Sequence, residues 1–294
     1  LSTDAAEHEL DVTMNAFNQV EPFEASDEFI RQSVDQADLP SLMVTLAMLT
    51  GDTSLIGPEV KPPVPPMRVE IAPQGGMSKE MQEKARRLAT AALVAFRDSG
   101  QQGGGIPSDS LLTQCMQYLL PRDIDELRPL LAHEMGFTKD PGAPDWTRES
   151  VAPGVKFRVA VIGAGVSGIA AGYRLQQTQL DFTIYEKNED VGGVWWENRY
   201  PGCRLDTPNF AYSLSFAQKQ DWPQQFSRQP EIQSYLATVA SASGLRRHIR
   251  FGTEVDAMRF NEDRATWTLS VRDGSGRVTE EEFNAVITAV GILS

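Results

Sequence analysis

The chain has 294 residues, of which 41% are hydrophobic and 23% are charged, which is typical of a globular protein with one large or two ordinary domains. Its net charge of −13 argues against a nucleic acid partner, and its apolar runs are too short or too interrupted to span a bilayer. The first 25 residues are acidic, with no basic start and no apolar stretch, so they do not resemble a signal peptide. Its two cysteines cannot form a disulfide framework, and its three histidines are scattered, so the sequence predicts a cytoplasmic protein that binds no metal, membrane or nucleic acid.

The N-terminal residues 1–25 are predicted to be a disordered or loosely attached acidic tail. They have no clear hydrophobic period, and residues 1–40 contain ten acidic residues against one basic residue, Arg31. Such a run of like charge is typical of a solvated segment. The first residue is Leu1 rather than Met, which predicts a trimmed N-terminus.

Residues 26–137 are predicted to form an all-helical domain, because apolar residues recur there at helical spacing. Helices are expected from Ser26, over residues 41–50, from Ser78 to about Arg97, over about 108–120, and from Pro121 to Gly136. Six prolines within residues 57–77 predict an extended linker or surface arm. The Met and Leu stripes of the helices indicate a core or a subunit interface. Residues 138–154 are polar, rich in Pro and Gly, and predicted to be a linker.

Residues 155–294 are predicted to have an α/β fold, because strands and helices alternate there. We expect a Rossmann-like domain with a parallel sheet and a β-meander. Strands are expected over residues 155–162 and 182–185, a helix over 230–243, the meander over 256–282, and a buried strand over 283–292.

A glycine motif joins the first strand to the helix that follows it. Gly163 permits a tight turn, Gly165 leaves the backbone open to a pyrophosphate, and Gly168 lets the helix pack closely on the sheet. The helix N-terminus presents free N–H groups to an anion. Glu186 follows Gly163 by 23 residues, close to the ~20 residues expected for an acid that binds ribose hydroxyls. A carboxylate there repels a 2′-phosphate, so the motif predicts a site for FAD or NAD rather than NADP.

The segment after Glu186 distinguishes FAD from NAD. It runs through Gly192, Gly193 and Trp195 to the Asn-Arg-Tyr-Pro-Gly sequence at residues 198–202 and then to Asp206. This segment closely resembles class B flavin monooxygenases, and within them the Baeyer–Villiger monooxygenases. The resemblance covers residues 155–294, about half of the chain. It implies that the Gly-Gly-x-Trp stretch lies along the FAD phosphates and ribityl chain.

The resemblance also implies which residues bind FAD. They are Gly163, Gly165, Val166, Ser167, Gly168, Glu186, Lys187, Gly193, Val194, Trp195, Arg204, Asp206, Tyr212, Val255 and Gly291. Asp206 is in addition the expected catalytic residue, because in the family the matching Asp reaches the flavin ring and holds the arginine beside it. Val290 stands where the family commonly has Thr, which leaves one hydrogen bond on the cofactor side open.

The activity that the resemblance implies is that of a Baeyer–Villiger monooxygenase. Such an enzyme uses NADPH and O2 to convert a ketone to an ester through a flavin C4a-peroxide, in a dry and positively charged pocket. The helical domain, including residues 39–52, resembles the 4-hydroxyacetophenone monooxygenase group. That likeness implies an aryl ketone substrate and a homodimer formed through the helical domain.

The NADPH domain and the catalytic arginine of such an enzyme are expected beyond residue 294, since the chain contains no second glycine motif. The 294 residues alone are therefore expected to be inactive. Two alternatives stay open: another class B monooxygenase that oxidises nitrogen or sulfur, and a non-catalytic FAD-binding or assembly module. A reductase of the same layout is disfavoured because Cys203 stands alone where a redox pair is usual.

Overall fold

The computed structural model describes residues 23–63, 72–100, 107–120, 124–134, 140, 142–219 and 221–292. These residues belong to two compact units that divide between Lys139 and Asp140. Most of the predicted acidic tail lies outside the described residues. Its last residues are attached to the first unit, since the ring of Phe23 contacts that of Phe96 and the carbonyl of Ala25 accepts a hydrogen bond from Arg97.

The described residues of the first unit form helices and short 3-10 turns. The helices are α1 (Asp27–Gln36), α2 (Leu39–Thr50), α3 (Lys79–Asp98), α4 (Asp109–Leu119) and α5 (Arg128–Glu134). Ser26, Ser78 and Ser108 cap α1, α3 and α4 because each hydroxyl accepts a hydrogen bond from the N–H three residues on. Met43 and Leu46 of the predicted apolar stripe are buried in the core of the unit.

Two helices begin elsewhere than the sequence predicts. The second begins at Leu39 rather than Ser41, because the Asp38 side chain caps it and Pro40 fits in its first turn. The fifth begins at Arg128 rather than Pro121, and residues 125–127 before it form a turn. The residues around Pro121 lie outside the described part of the chain.

The proline-rich segment, predicted to be an extended linker or surface arm over residues 57–77, is folded into turns that pack against the helices where the structure describes it. Pro58–Val60 and Pro73–Gly76 form 3-10 turns. Val60 is buried, and its carbonyl accepts a 2.6 Å hydrogen bond from the Tyr118 hydroxyl. Gln74 bonds to the backbone of Ala37 and Leu39. Proline excludes long helices but not burial.

The predicted linker at residues 138–154 also has structure of its own. Residues 148–151 form a short helix, α6 (Arg148–Val151), whose first turn is closed by a capping box on Thr147. The N–H of Arg148 donates to the carbonyl of Thr178 at 2.8 Å, and Arg174 forms an ion pair with Asp140. This segment therefore packs on the second unit rather than connecting freely to it.

The second unit has the α/β order that the sequence predicts. Its elements are β1 (Arg158–Ile162), α7 (Val166–Gln177), β2 (Asp181–Tyr185), α8 (Val194–Glu197), α9 (Gln229–Ala242), β3 (Ile249–Arg250), β4 (Glu254–Asn261), β5 (Thr266–Arg272), β6 (Val278–Phe283) and β7 (Ala285–Thr288). The parallel sheet has the order β3-β2-β1-β7, and β4-β5-β6 form an antiparallel meander.

The core of this unit lies on both faces of the parallel sheet. Side chains alternate along β1, so Val159 and Val161 join a cluster with α7 and α9 while Ala160 faces the meander. Phe283 and Tyr185 are buried on the meander side. A strand covered on both faces is expected to be apolar, as β1 is from Val159 to Ile162.

The last strand is shorter and more exposed than predicted. The sequence predicts a buried strand over residues 283–292, whereas β7 covers Ala285–Thr288 and exposes Ile287 and Thr288. Among the described strands β7 pairs with β1 alone, which makes it an edge strand. Of the helices that the structure describes, none combines the length and the apolar character needed to cross a membrane.

Candidate nucleotide-binding site

A cavity of about 400 Å³ opens where β1, β2 and β7 end. In the sheet, β1 has β2 on one side and β7 on the other, so the order of the strands reverses about β1. Such a switch point is where open α/β sheets bind ligands. The volume lies within the range of about 300–1,000 Å³ that small-molecule sites occupy. The cavity at the predicted glycine motif therefore lies where a ligand site is expected in this fold.

The N-terminus of α7 faces this cavity. The N–H groups of Gly163 and Ala164 are occupied, by the carbonyl of Tyr185 and the carboxylate of Glu186. The next three residues, Gly165, Val166 and Ser167, line the cavity. No described residue accepts a hydrogen bond from their N–H groups. Free N–H groups at the positive end of a 12-residue helix attract an anion, and a phosphate suits this place.

The three motif glycines are required for different reasons. Gly163 has φ +100°, and a Cβ there would lie 2.6 Å from the carbonyl oxygen of Ala289. A Cβ on Gly168 would lie 1.9 Å from the carbonyl oxygen of Gly163, so this glycine serves helix packing. Gly165 has an ordinary φ of −74°, and its Cβ would meet Gly193 at a normal 3.5 Å. The surrounding protein thus leaves room for a Cβ at Gly165, so the fold alone does not explain why this residue is glycine.

Glu186 is a buried carboxylate at the end of β2 and lines the cavity. Its Oε2 accepts a 2.7 Å hydrogen bond from the N–H of Ala164. Its Oε1 accepts from the N–H and the side-chain amide of Asn188, at 2.9 and 2.8 Å. A buried charge needs such partners, and here they also tie the glycine turn to β2. The carboxylate remains at the cavity wall, where it can accept from a ribose hydroxyl.

A charged pair lies beside Glu186 at the cavity wall. Lys187 Nζ lies 3.0 Å from Glu197 Oε1, and the amide of Asn188 donates to the same oxygen at 3.3 Å. The hydrogen bond to Glu197 raises the pKa of Lys187. The hydrogen bonds from Lys187 and then Asn188 lower the pKa of Glu197. The lysine charge is therefore already paired by a carboxylate.

An aromatic pair supports another part of the cavity wall. Tyr212 lines the cavity, and its hydroxyl accepts a 2.9 Å hydrogen bond from the indole N–H of Trp195. The two rings meet edge to face at a centroid distance of 5.9 Å. Trp195 itself is buried behind Tyr212, so it fixes the tyrosine rather than facing the cavity.

Comparison with known proteins is consistent with this geometry. Residues 161–228 match the family model for an NAD(P)-binding Rossmann-like domain. An uncharacterized monooxygenase of Sinorhizobium fredii is 32% identical over 271 residues, which cover 89% of this chain and 38% of that protein. A Baeyer–Villiger monooxygenase of Streptomyces coelicolor is 41% identical over 138 residues, covering 47% of this chain and 26% of that protein.

The names of these relatives support a relationship of the chain to the flavin monooxygenase family. The chain spans well under half of the length of either relative. The Sinorhizobium match is too long to be confined to the α/β unit, so it includes much of the helical unit as well. Among solved structures, a mutant cyclohexanone monooxygenase from Rhodococcus bound to NADP+ is 39% identical over 47% of this chain and 27% of its own, with a TM-score of 0.43.

Most of the residues predicted to bind FAD lie around the one cavity. Those that line it are Gly163, Gly165, Val166, Ser167, Glu186, Lys187, Gly193, Val194, Tyr212, Val255 and Gly291. They come from segments far apart in the sequence, and the carboxyl ends of the parallel strands bring them together.

Four predicted residues do not line the cavity. Gly168 is packed against the glycine turn, and Trp195 is buried behind Tyr212. Arg204 and Asp206 are exposed because Leu205 between them is buried and donates its N–H to the carbonyl of Ser227. Their side chains therefore lie outside this cavity.

Other residues line the cavity without having been predicted, among them Asn188, Glu197 and Glu254. Asn188 and Glu197 belong to the segment that resembles the flavin monooxygenases, but their residue types alone do not indicate that they line a cavity. What identifies them is the contact of their side chains with Glu186 and Lys187, which exists only once the segment has folded back on β2.

Proposed function

We propose that the chain provides the FAD-binding site of a Baeyer–Villiger monooxygenase, which uses NADPH and O2 to convert ketones to esters. The observation that carries the proposal is the arrangement of free N–H groups on α7 and the buried carboxylate of Glu186 around one cavity. These are the groups that the diphosphate and the adenosine ribose of a dinucleotide require.

The residues present fit the ADP half of FAD. The diphosphate would be held by the N–H groups of Gly165, Val166 and Ser167, with no side chain at Gly165 to obstruct it. The ribose hydroxyls would donate to Glu186. A 2′-phosphate would meet this carboxylate, and Lys187 is already paired with Glu197, so NADPH is not the nucleotide proposed for this cavity.

The choice of a monooxygenase rests on residues 192–206 and on the relatives. Relatives named FAD-binding or Baeyer–Villiger monooxygenases match about half of the chain, including an FAD-binding monooxygenase of Dothistroma septosporum at 39% identity over 145 residues. When bound, FAD would accept a hydride from NADPH and activate O2. We propose that Asp206, which lies outside the ADP cavity, acts at the flavin end by positioning an arginine.

The substrate and the assembly follow from the helical unit. Its likeness to the 4-hydroxyacetophenone monooxygenase group supports an aryl ketone as substrate and a homodimer formed through this unit. The long match to the Sinorhizobium monooxygenase supports the view that the helical unit is part of the enzyme rather than a separate module.

The proposal is tested with the intact protein. We expect a yellow protein with a flavin absorbance spectrum, ketone-dependent NADPH oxidation, and an ester as product, with aryl ketones ahead of aliphatic ones. An Asp206→Ala variant should keep its flavin and lose ester formation. If N-oxides or S-oxides are the only products, the protein is a class B monooxygenase that oxidises nitrogen or sulfur, and the ketone proposal is wrong. Flavin binding without NADPH oxidation would indicate a non-catalytic module.

A further inference from the structure

Two glutamines on α9 bind the backbone of the cavity wall. They are Gln229 and Gln233, one helical turn apart. The Gln233 amide donates to the carbonyl of Val191 at 2.6 Å, and the Gln229 amide donates to the carbonyl of Trp195. These two carbonyls lie on either side of Gly192 and Gly193, which line the cavity.

The diglycine segment (Gly192 and Gly193) has a conformation that needs external support. Gly192 has φ +129°, and Gly193 has φ +55° with ψ −122°. Two adjacent glycines have more conformational freedom than any other pair, so an unsupported segment would sample many conformations. In the structure Gly193 packs on Gly165, where α7 begins, and a Cβ on Gly193 would lie 3.1 Å from the Gly165 Cα. The position of this segment therefore sets the shape of the cavity beside the phosphate-binding N–H groups.

Packing alone does not explain the two glutamines. Both lie on the inner side of α9, next to the buried Ile232 and Leu236, where an apolar residue of similar size would fill the same space. Placing the buried Gln229 amide and the half-buried Gln233 amide here costs free energy, which hydrogen bonds must offset. Both Nε2 groups donate to the same segment, whereas the buried Gln233 Oε1 has no partner among the described residues. The Gln233 Oε1 lies 2.0 Å from the position of a Cβ on Gly192, so the amide occupies the space that this glycine leaves.

We propose that Gln229 and Gln233 are positioning residues that hold the diglycine segment in its FAD-binding conformation before FAD arrives. The inference rests on the proposed function, since it concerns the affinity for FAD. Without the two hydrogen bonds the segment keeps the bond from the Gly192 N–H to the carbonyl of Ala164 but is less ordered in the FAD-free protein. The ordering that binding then requires weakens the affinity for FAD. A purely structural role would instead destabilise the FAD-free and FAD-bound proteins equally and leave the affinity unchanged.

The test uses Gln229→Met, Gln233→Met and the double variant, because methionine keeps the volume and removes the donor. Ser234→Met is the matched control, as Ser234 is exposed on the same helix. FAD is removed, and its dissociation constant is measured by titration together with the thermal midpoint of the FAD-free protein. We expect each single variant to bind FAD about tenfold more weakly and the double variant more weakly still. The midpoint should fall modestly, because a carbonyl loses its donor in each variant. The control should match the wild type in both measurements.

Two results would overturn the inference. If the variants bind FAD as tightly as the wild type while their thermal midpoints fall, the glutamines only stabilise the fold. If the variants match the wild type in both measurements, the hydrogen bonds do not matter. A wild-type protein that binds no FAD would contradict the proposed function as well. If the wild type binds FAD and only the variants behave unexpectedly, the glutamine inference alone has failed.

Discussion

The carboxylate of Glu186 is the residue on which both the turn and the ligand site depend. Its two oxygens accept hydrogen bonds from Ala164 and Asn188, and every partner is an N–H donor. An amide in its place would turn its own NH2 toward one of those donors. The interactions that shape the turn are thus the same ones that orient the carboxylate at the cavity wall.

We predict that Glu186→Gln lowers the free energy of unfolding by about 1–3 kcal/mol, because one buried donor loses its acceptor. The affinity for FAD should fall as well. Urea unfolding and an FAD titration measure the two effects. Glu189→Gln is the control, since Glu189 is exposed three residues further along the chain. Equal stability of the two variants would contradict the role given to the carboxylate.

The glycine motif provides a matched pair of variants. Gly165→Ala should fold with a thermal midpoint close to that of the wild type and bind FAD more weakly, because its Cβ meets no close protein atom. Gly168→Ala should fold poorly, because its Cβ would collide with the carbonyl of Gly163. Circular dichroism and flavin absorbance separate the outcomes. If Gly165→Ala binds FAD as tightly as the wild type, the diphosphate does not bind at this helix N-terminus.

At the scale of elements, the meander covers the parallel sheet through a small apolar cluster. Phe283 is buried there, with its ring edge to face against Tyr185 and beneath the guanidinium of Arg158. We predict that Phe283→Ala lowers the free energy of unfolding by about 3–5 kcal/mol, the usual effect of removing a buried aromatic ring. Val278→Ala at the exposed start of β6 should change it by less than about 0.5 kcal/mol. Urea unfolding of both variants decides whether the meander and the sheet share one core.

The packing of β2 against the turn before β3 predicts a pH dependence. His248 stacks on Phe182, and its ring Nε2 accepts a hydrogen bond from Arg247, with Asp181 also near. Burial and then the Arg247 charge lower the pKa of His248 below 6.5. Between the two pKa values the unfolded chain binds a proton that the folded chain does not, so stability rises with pH up to about 6.5 and then levels off.

His248→Phe should reduce this dependence while keeping the ring stack on Phe182. The measurement is the free energy of unfolding of both proteins between pH 5 and pH 8. The wild type should gain more stability than the variant as the pH rises through the lower part of this range. An identical pH profile for the two proteins would mean that another group titrates.

At the scale of the whole molecule, FAD should affect a few separate segments of one unit. We predict that added FAD slows amide hydrogen exchange at residues 163–167, 186–194, 253–255 and 289–291, because these segments line the same cavity. Exchange in α3, within the helical unit and its own core, should not change. Mass spectrometry of the exchanged peptides reports both. Protection spread evenly over the chain would argue against a ligand held at this cavity.

The sequence by itself determined the elements whose causes are local. Ser26 and Ser78 cap helices through their own side chains. The glycine motif and Glu186 follow neighbouring strands, which brings them to the wall of one cavity. Hydrophobic runs were sufficient to recognise β1 and β2, because both strands are covered on both faces of the sheet.

Only the tertiary structure decided what depends on contacts between distant segments. Gln229 and Gln233 act on carbonyls 34 and 42 residues away, which no local pattern marks. The same holds for the outward turn of Arg204 and Asp206 beside the buried Leu205, and for the exposure of β7 at the sheet edge. Burial and hydrogen-bond partners are properties of the packed chain, whereas caps, turns and periodicity are properties of a few adjacent residues.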